Sequence, residues 1–389
     1  MTPQSAGASR SIRPADPAVL RHVLRAALLE EAAARAAFAD WLTTNPPDDP
    51  MAFDVAERRL LPLLAANLRS LGITHPIQSA GESVGKQSAA RNAQLMQAAG
   101  DVVSRLASAG VPTLVLKGVP VIVRYYRDPA LRPMSDVDLM VRPSDLLRAL
   151  RILADAGWTI QGGRTNPRLL PFLYAFEHLR PDRAKLDLHQ YLIEHGSSPQ
   201  AERQLWERAE RFDLLGQTCA TPDPTDLLLH VCVAGLKAGR QLNSRWMADA
   251  YLIVTRHTGS IDWDRLAHDT RERRLLLPVH RALLALVTTL DAPVPPDVLG
   301  TLQRARVHRT EPLTDRLLAR HSQSMIELAQ EYVGLYRSGA RAAGRRPRVG
   351  GLPAFCVRLL VHRWGLASAR EVPRMAIRRL ISRATRRKF

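Results

Sequence analysis

The sequence predicts an α+β protein, mostly helical, with a small β core set between two helical halves. Three observations predict it. Ala, Leu and Arg dominate while aromatics make up only 5% of the chain, a composition that favours helix. Apolar residues recur at helical spacing before residue 110 and again after residue 199. Between them the pattern shortens to brief apolar runs bounded by Gly and Pro.

Residues 1–18 are expected to be disordered, and residues 19–110 to form a helical lead-in. Its helices are Val19 to Trp41, Phe53 to Leu71 and Glu82 to Ala109, the last stopped by Gly110 as a C′ residue. The core is expected over 111–198. Val111 to Leu116 reads as a strand, and Val119 to Tyr126 as a helix with Pro120 in its first turn. Asp136 to Val141 is a second strand, and Pro143-Ser144-Asp145 caps a helix to Ala156, closed by Gly157. Tyr174 to Leu179 and Lys185 to Leu192 form a hairpin about Arg180-Pro181-Asp182-Arg183. A helical domain follows over 199–336, with helices near 200–209, 224–238, 243–257, 262–273 and 275–290. Residues 337–389 read as a basic linker (338–353) and an amphipathic tail.

Composition narrows the class. The 389 residues, 46% apolar and 24% charged, suit a soluble protein of two domains or of one domain with additions. Cys219, Cys232 and Cys356 make no CxxC pair, which excludes a zinc ribbon or a disulfide framework and leads us to expect a reducing cytoplasm. The stretch Met1 to Pro17 has no apolar centre and does not read as a secretory signal. No apolar run reaches the roughly 18 residues of a transmembrane helix. Of the net +18, the segment 337–389 supplies +14, with fifteen Lys or Arg against Glu371 alone. The high isoelectric point is therefore mainly a property of the tail.

The chemistry is concentrated at Asp136 and Asp138. Alternation along a strand puts residues i and i+2 on one face, so two carboxylates lie side by side and call for a cation. A hard divalent ion with oxygen ligands, Mg²⁺ above all, is expected. Asp187 in Leu186-Asp187-Leu188-His189 adds a third carboxylate if its strand pairs beside the first. Two ions about 3.5–4 Å apart could then serve a triphosphate donor and an acceptor oxygen. Lys117-Gly118 stands at a strand-to-helix turn, where backbone N–H groups and a lysine suit phosphate. Arg132 is a second phosphate candidate. His189 reads either as a phosphate contact or as a hydrogen bonder beside Asp187. Asp249 reads as a nucleotide contact or as the partner of an Arg in the core, while His178 and His230 read as ordinary buried histidines.

Leu116-Lys117-Gly118, Tyr126-Arg127-Asp128-Pro129, Leu131 to Leu139 with its Ser135-Asp136-Val137-Asp138, Asp187-Leu188-His189, Arg245-Trp246 with Asp249, and Ile261-Asp262-Trp263 occur in that order. This series resembles the uncharacterised bacterial nucleotidyltransferase family within the DNA polymerase β-like superfamily, over about residues 50–300. The resemblance implies a minimal nucleotidyltransferase fold: a mixed β-sheet with flanking helices, metal carboxylates on adjacent strands, and a helical domain closing over the nucleotide. It makes Asp136, Asp138 and Asp187 the expected catalytic metal ligands. Lys117, Gly118, Arg132, Ser135, His189 and Asp249 are the expected nucleotide contacts. The wider superfamily carries Gly-Ser at the first turn, where this chain has Lys117-Gly118-Val119.

The expected activity is Mg²⁺-dependent transfer of a nucleoside monophosphate from an NTP to a hydroxyl or phosphate acceptor. Two alternatives stand beside it. One is a non-catalytic nucleotide sensor or antitoxin-like module on the same fold. The other is a docking protein that acts through its tail, whose cations and apolar residues suit an anionic membrane inner face, nucleic acid, or an acidic face of its own core.

Overall fold

The computed structural model describes residues 16–378 apart from 48, 162–168, 237–244, 257–258, 313–314, 316–324, 343, 347, 365 and 367. Five helices lead in: α1 (Pro17–Leu28), α2 (Glu31–Leu42), α3 (Val55–Arg58), α4 (Leu61–Ser70) and α5 (Ile77–Ser108). Of the segment expected to be disordered, 1–15 lies outside the described residues. Asp16 to Ala18 is ordered instead: Pro17 opens α1, and the Asp16 carboxylate accepts from Ala18 N–H. The helix expected over Val19 to Trp41 breaks at Leu29 and Glu30, both extended. The break turns Val23 and Leu24 of one half and Phe38 and Trp41 of the other into one core. The next expected helix also splits, because Pro62 in the first turn of α4 has no N–H to continue a preceding turn.

Helix α5 starts at Ile77, ahead of the expected Glu82, and its 32 residues span about 48 Å. It lies tightly against α4 at Gly81. A Cβ there would fall 2.4 Å from the Leu61 carbonyl oxygen and 2.6 Å from Ala65 Cβ.

Seven strands make one mixed sheet: β1 (Leu114–Val115), β2 (Val137–Met140), β3 (Thr159–Ile160), β4 (Ala175–Leu179), β5 (Lys185–His189), β6 (Glu210–Leu214) and β7 (Gln217–Thr221). Their order is β3-β4-β5-β2-β1-β7-β6, with β2–β5 and β1–β7 parallel and the other pairs antiparallel. The hairpin β4–β5 lies where the sequence placed it. Strand β3 and the hairpin β6–β7 extend the sheet beyond the sequence reading. Leu215 and Gly216 turn that second hairpin with φ of 54° and 82°, the left-handed pair that a two-residue hairpin turn requires. The helix expected over 119–126 is one α turn, α6 (Gly118–Val121), followed by a π turn over Ile122–Tyr126.

The other helices are α7 (Leu146–Asp155), α8 (Pro199–Arg208), α9 (Pro224–Leu236), α10 (Arg245–Arg256), α11 (Trp263–Arg273), α12 (Leu276–Leu290), α13 (Pro296–Arg304), α14 (Met325–Ala342) and α15 (Leu352–Arg363). One face of the sheet, with Val115, Val137, Leu139, Leu186 and Leu188, packs on Leu95, Val102 and Leu106 of α5 and Leu146 and Leu153 of α7. On the opposite face Leu114, Leu116 and Met140 join a larger core shared by α1, α2, α4, α9, α10 and α12. The lead-in and the later helices therefore bury one common core. Arg25 on α1 fastens them further, reaching the Thr289 carbonyl in the last turn of α12 and Asp291 just past it, each at 2.9 Å.

The expected linker over 338–353 is corrected: α14 runs through Ser338 to Ala342, and α15 begins at Leu352. Tyr332, Leu335, Phe355 and Leu359 bury against Leu169 and Phe172, which docks this part of the tail on the protein's own core. Gly339 is a contact point there, since a Cβ on it would lie 2.5 Å from Phe172 Cα. Residues 379–389, with Leu380 and Ile381 of the expected amphipathic face, lie outside the described residues. Among the described residues no helix is long and apolar enough to cross a membrane.

The α4–α5 contact is directly testable. Gly81→Ala should destabilise the protein by roughly 1–3 kcal/mol in urea unfolding, because the Leu61 carbonyl cannot move without distorting α4. The same change at the open, left-handed Gly110 should act through backbone strain alone.

Candidate active site

Strand β2 pairs in parallel with β5 so that Asp138 stands opposite Asp187 and Met140 opposite His189. Val137 and Leu139 face the α5–α7 core, which leaves Asp138 on the other face. Asp138, Asp187 and His189 each bring one ligand atom to within 4.8 Å of the others. His189 Nε2 lies 3.1 Å from Asp138 Oδ1. Asp136, which precedes β2, stands at the rim of this group and receives the Ser135 hydroxyl at 3.1 Å. The sequence expectation of three converging aspartates is thus reshaped: Asp138 and Asp187 meet directly, and His189 takes the third place in the close group.

Lys117 follows β1, whose end is tied to β2 by Leu116 N–H donating to the Asp138 carbonyl at 2.9 Å. Its ammonium sits 2.7 Å from Asp138 Oδ1. Burial alone would lower the Lys117 pKa, but the Asp138 carboxylate raises it well above the usual lysine range. Burial opposes ionisation of Asp138 too. Lys117, and then His189, nonetheless hold that carboxyl far below its usual range. Among the described residues no hydrogen bond or ion pair engages the Asp187 carboxylate, and the charge of Lys117 only partly favours it. Burial, then the like charges of Asp138 and Asp136, push its carboxyl up to about 7. A half-buried carboxylate beside a fully buried one is the arrangement that a divalent cation relieves. Two carboxylates and an imidazole make a donor set that could hold a divalent ion: the carboxylates suit Mg²⁺ or Mn²⁺, and the imidazole suits softer ions such as Zn²⁺ or Fe²⁺.

Arg132 and Asp249 are brought to each other and not into the carboxylate group. The guanidinium donates through Nε at 2.7 Å and Nη2 at 2.6 Å to the two Asp249 oxygens, and Tyr126 OH donates to Oδ1 at 2.9 Å. Gly118 lies against this pair: a Cβ on it would come 2.8 Å from Met134 Sδ and 3.4 Å from Arg132 Nη1. The loop carrying Arg132 and Asp136 is held by Asn92 from α5, a residue the sequence reading did not single out. Its amide donates to the carbonyls of Pro129 (2.7 Å) and Arg132 (2.9 Å) and accepts from Met134 N–H at 3.1 Å. Arg245 donates to the Pro133 carbonyl at 2.8 Å. On the other side of His189, a cavity of about 90 Å³ is lined by Lys117, Tyr174, His189, Glu194 and His230 among others. Tyr174 and His230 present their rings to His189 at 5.3 and 6.4 Å between centroids. The sequence pattern did not single out Tyr174 or Glu194, and His230 read only as an ordinary buried histidine.

With this geometry in view, comparison with known proteins is informative. Residues 54–291 match the model of a family described as uncharacterised nucleotidyltransferase. The chain belongs to that family. The match contains Asp136, Asp138, Asp187, His189, Arg245 and Asp249, and it ends before the basic tail. Among solved structures, an antigenic nucleotidyltransferase-like protein from Paracoccidioides brasiliensis is similar at 16% identity. It covers 56% of this chain and 94% of that one with a TM-score of 0.33, too low to decide anything about this chain. No curated protein matches.

For a nucleotidyltransferase the carboxylate pair makes a sharp pH prediction. The folded-state pKa of Asp187, about 7, stands above the ordinary aspartate value of about 3.9. Folding therefore favours its protonated form, and in metal-free protein the associated stability is lost as pH rises from about 4 through about 7. Mg²⁺ or Mn²⁺ should raise the melting temperature more at pH 8 than at pH 5.5. Asp187→Asn should stabilise the metal-free protein at pH 8 by roughly 1–4 kcal/mol and remove most of the metal increment. A metal effect independent of both pH and Asp187 would contradict this assignment.

Proposed function

We propose that the protein transfers a nucleoside monophosphate from an NTP to a hydroxyl or phosphate acceptor, with a divalent metal ion held at the Asp138–Asp187 pair. The observation that supports it most is the parallel β2–β5 register, which sets these carboxylates opposite each other beside His189. Asp138, Asp187 and His189 would hold the ion, with Asp136 at the rim. When bound, a divalent ion such as Mg²⁺ neutralises phosphate charge and makes the acceptor oxygen more acidic. In the transfer an acceptor oxygen forms a bond to the α phosphorus, the bond to the α–β bridging oxygen breaks, and pyrophosphate leaves. The Lys117 ammonium, 2.7 Å from Asp138 Oδ1, would also meet a phosphate oxygen. Gly118 lets the backbone beside it pack against Met134 Sδ, where a Cβ would not fit. The buried Arg132–Asp249 pair fixes the loop that delivers Asp136.

A second reading, a nucleotide-binding module without turnover, is favoured by one observation: Lys117 already supplies Asp138 with a counter-charge from within the chain. The two separate experimentally. The protein should be incubated with α-phosphate-labelled NTPs, Mg²⁺ or Mn²⁺ and a cell extract, and products searched by mass spectrometry for an added nucleoside monophosphate. Asp138→Asn and Asp187→Asn should each lower product formation by at least about 100-fold. Metal-dependent nucleotide binding with no product from any extract would favour the second reading. Loss of neither binding nor product in both variants would remove the metal assignment.

A further inference from the structure

Three guanidinium groups from three distant parts of the chain converge on the loop that ends at Asp136. Arg59 lies in the turn between α3 and α4, three residues before Pro62. Pro62 and Ala130 of the loop pack on the same spot of α5, each 3.7 Å from the Cβ position of Gly85. Arg132 belongs to the loop. Arg245, the first residue of α10, donates to the Pro133 carbonyl at 2.8 Å. The acids acting on them are Asp54, Asp136, Asp138 and Asp249, against Arg58, Arg59, Arg132 and Arg245. Asp249 is held by Arg132 and Tyr126, Asp138 by Lys117, and Asp54 caps α3 through Ala56 N–H at 2.7 Å. The charge of Arg59 and Arg245 is left without a carboxylate partner among the described residues.

That charge has a direction. Arg132 is only 3% exposed, and it uses Nε and Nη2 on Asp249. Among the described residues nothing accepts from Nη1, which lies 3.4 Å from where a Gly118 Cβ would stand, beside Met134 Sδ. No hydrogen bond or ion pair engages the Arg59 guanidinium among the described residues. Burial pushes Arg245 down to about 10, and the neighbouring cations Arg132 and Arg59 add to the effect. Asp136 acts on Arg59 and Arg245 on one side and on Asp187 and Lys117 on the other. The cationic group thus borders the carboxylate group, with Asp136 between them and Arg132 within reach of the Asp138 charge.

We propose that Arg59, Arg132 and Arg245 form a polyphosphate site that takes the β and γ phosphates of the donor nucleotide. The site rests on the transfer reading for its donor, but it makes a separate claim: the helical lead-in, through Arg59, is part of the substrate site. Guanidinium groups suit this task because their forked donors match phosphate oxygens and stay charged at any working pH.

The test titrates inorganic tripolyphosphate, and then each common NTP, into the full chain in EDTA and again in Mg²⁺. The wild type should bind tripolyphosphate without metal, more weakly as salt rises. Arg59→Gln and Arg245→Gln should each weaken tripolyphosphate and NTP alike, by on the order of tenfold or more. Arg59→Lys and Arg245→Lys, which keep the charge, should recover part of the loss. The proposal is overturned if the wild type does not bind tripolyphosphate, or if both Gln variants bind it as the wild type does. It is equally overturned if they lose tripolyphosphate but keep NTP, which would assign the site to a phosphorylated acceptor. Asp138→Asn and Asp187→Asn serve as the separate arm. Should they leave metal-dependent NTP binding intact, the metal assignment fails while the arginine site stands.

Discussion

Parallel pairing of β2 with β5, in the register that opposes Asp138 and Asp187, is the constraint on which the rest of the site depends. Both strands alternate strictly. Val137, Leu139, Leu186 and Leu188 fill the core under α5 and α7, and Asp138, Asp187 and His189 take the other face. A slip of one residue would send those polar groups into the apolar layer and its leucines out. Burying a carboxylate without a partner costs several kcal/mol, so the hydrophobic pattern itself selects the register that assembles the carboxylates.

The helical parts of the chain secure the loop that carries Asp136. Asn92 holds three backbone groups of residues 129–134 from α5, and Arg245 holds Pro133 from α10. Asp249 grips Arg132 with both oxygens. A fully buried ion pair of this kind is modest evidence for net stability. Its removal on one side strands a charge, at a cost of about 3–5 kcal/mol, so it acts as a geometric lock. The lead-in and later helices that carry the lock share one apolar core with Leu114, Leu116 and Met140 of the sheet region.

Much of this was legible from local pattern. The β4–β5 hairpin, the β2 strand and the long helix ending at Gly110 lie close to where periodicity and turn residues place them. Splits in the lead-in were missed because an apolar stripe continues across the break at Leu29–Glu30, where only tertiary packing rewards a bend. The β6–β7 hairpin was missed although Gly216 between the buried Phe212 and Leu214 and the partner run offered a signal. The basic connection is shorter than the expected 338–353 because α14 and α15 run into it from both sides, held by Tyr332, Leu335, Phe355 and Leu359, whose partners Leu169 and Phe172 lie far away in sequence.

What the sequence by itself determined is the inventory of reactive groups and the face on which each strand presents them, since a period of two follows from backbone geometry alone. Tertiary structure decided who meets whom. It put His189 in the close group and Asp136 at its rim, gave Lys117 to Asp138, and paired Arg132 with Asp249. It also carried Arg59 to the loop from more than seventy residues away. These outcomes depend on strand register and on helices packed across the sheet, and such long-range contacts leave no trace in local periodicity.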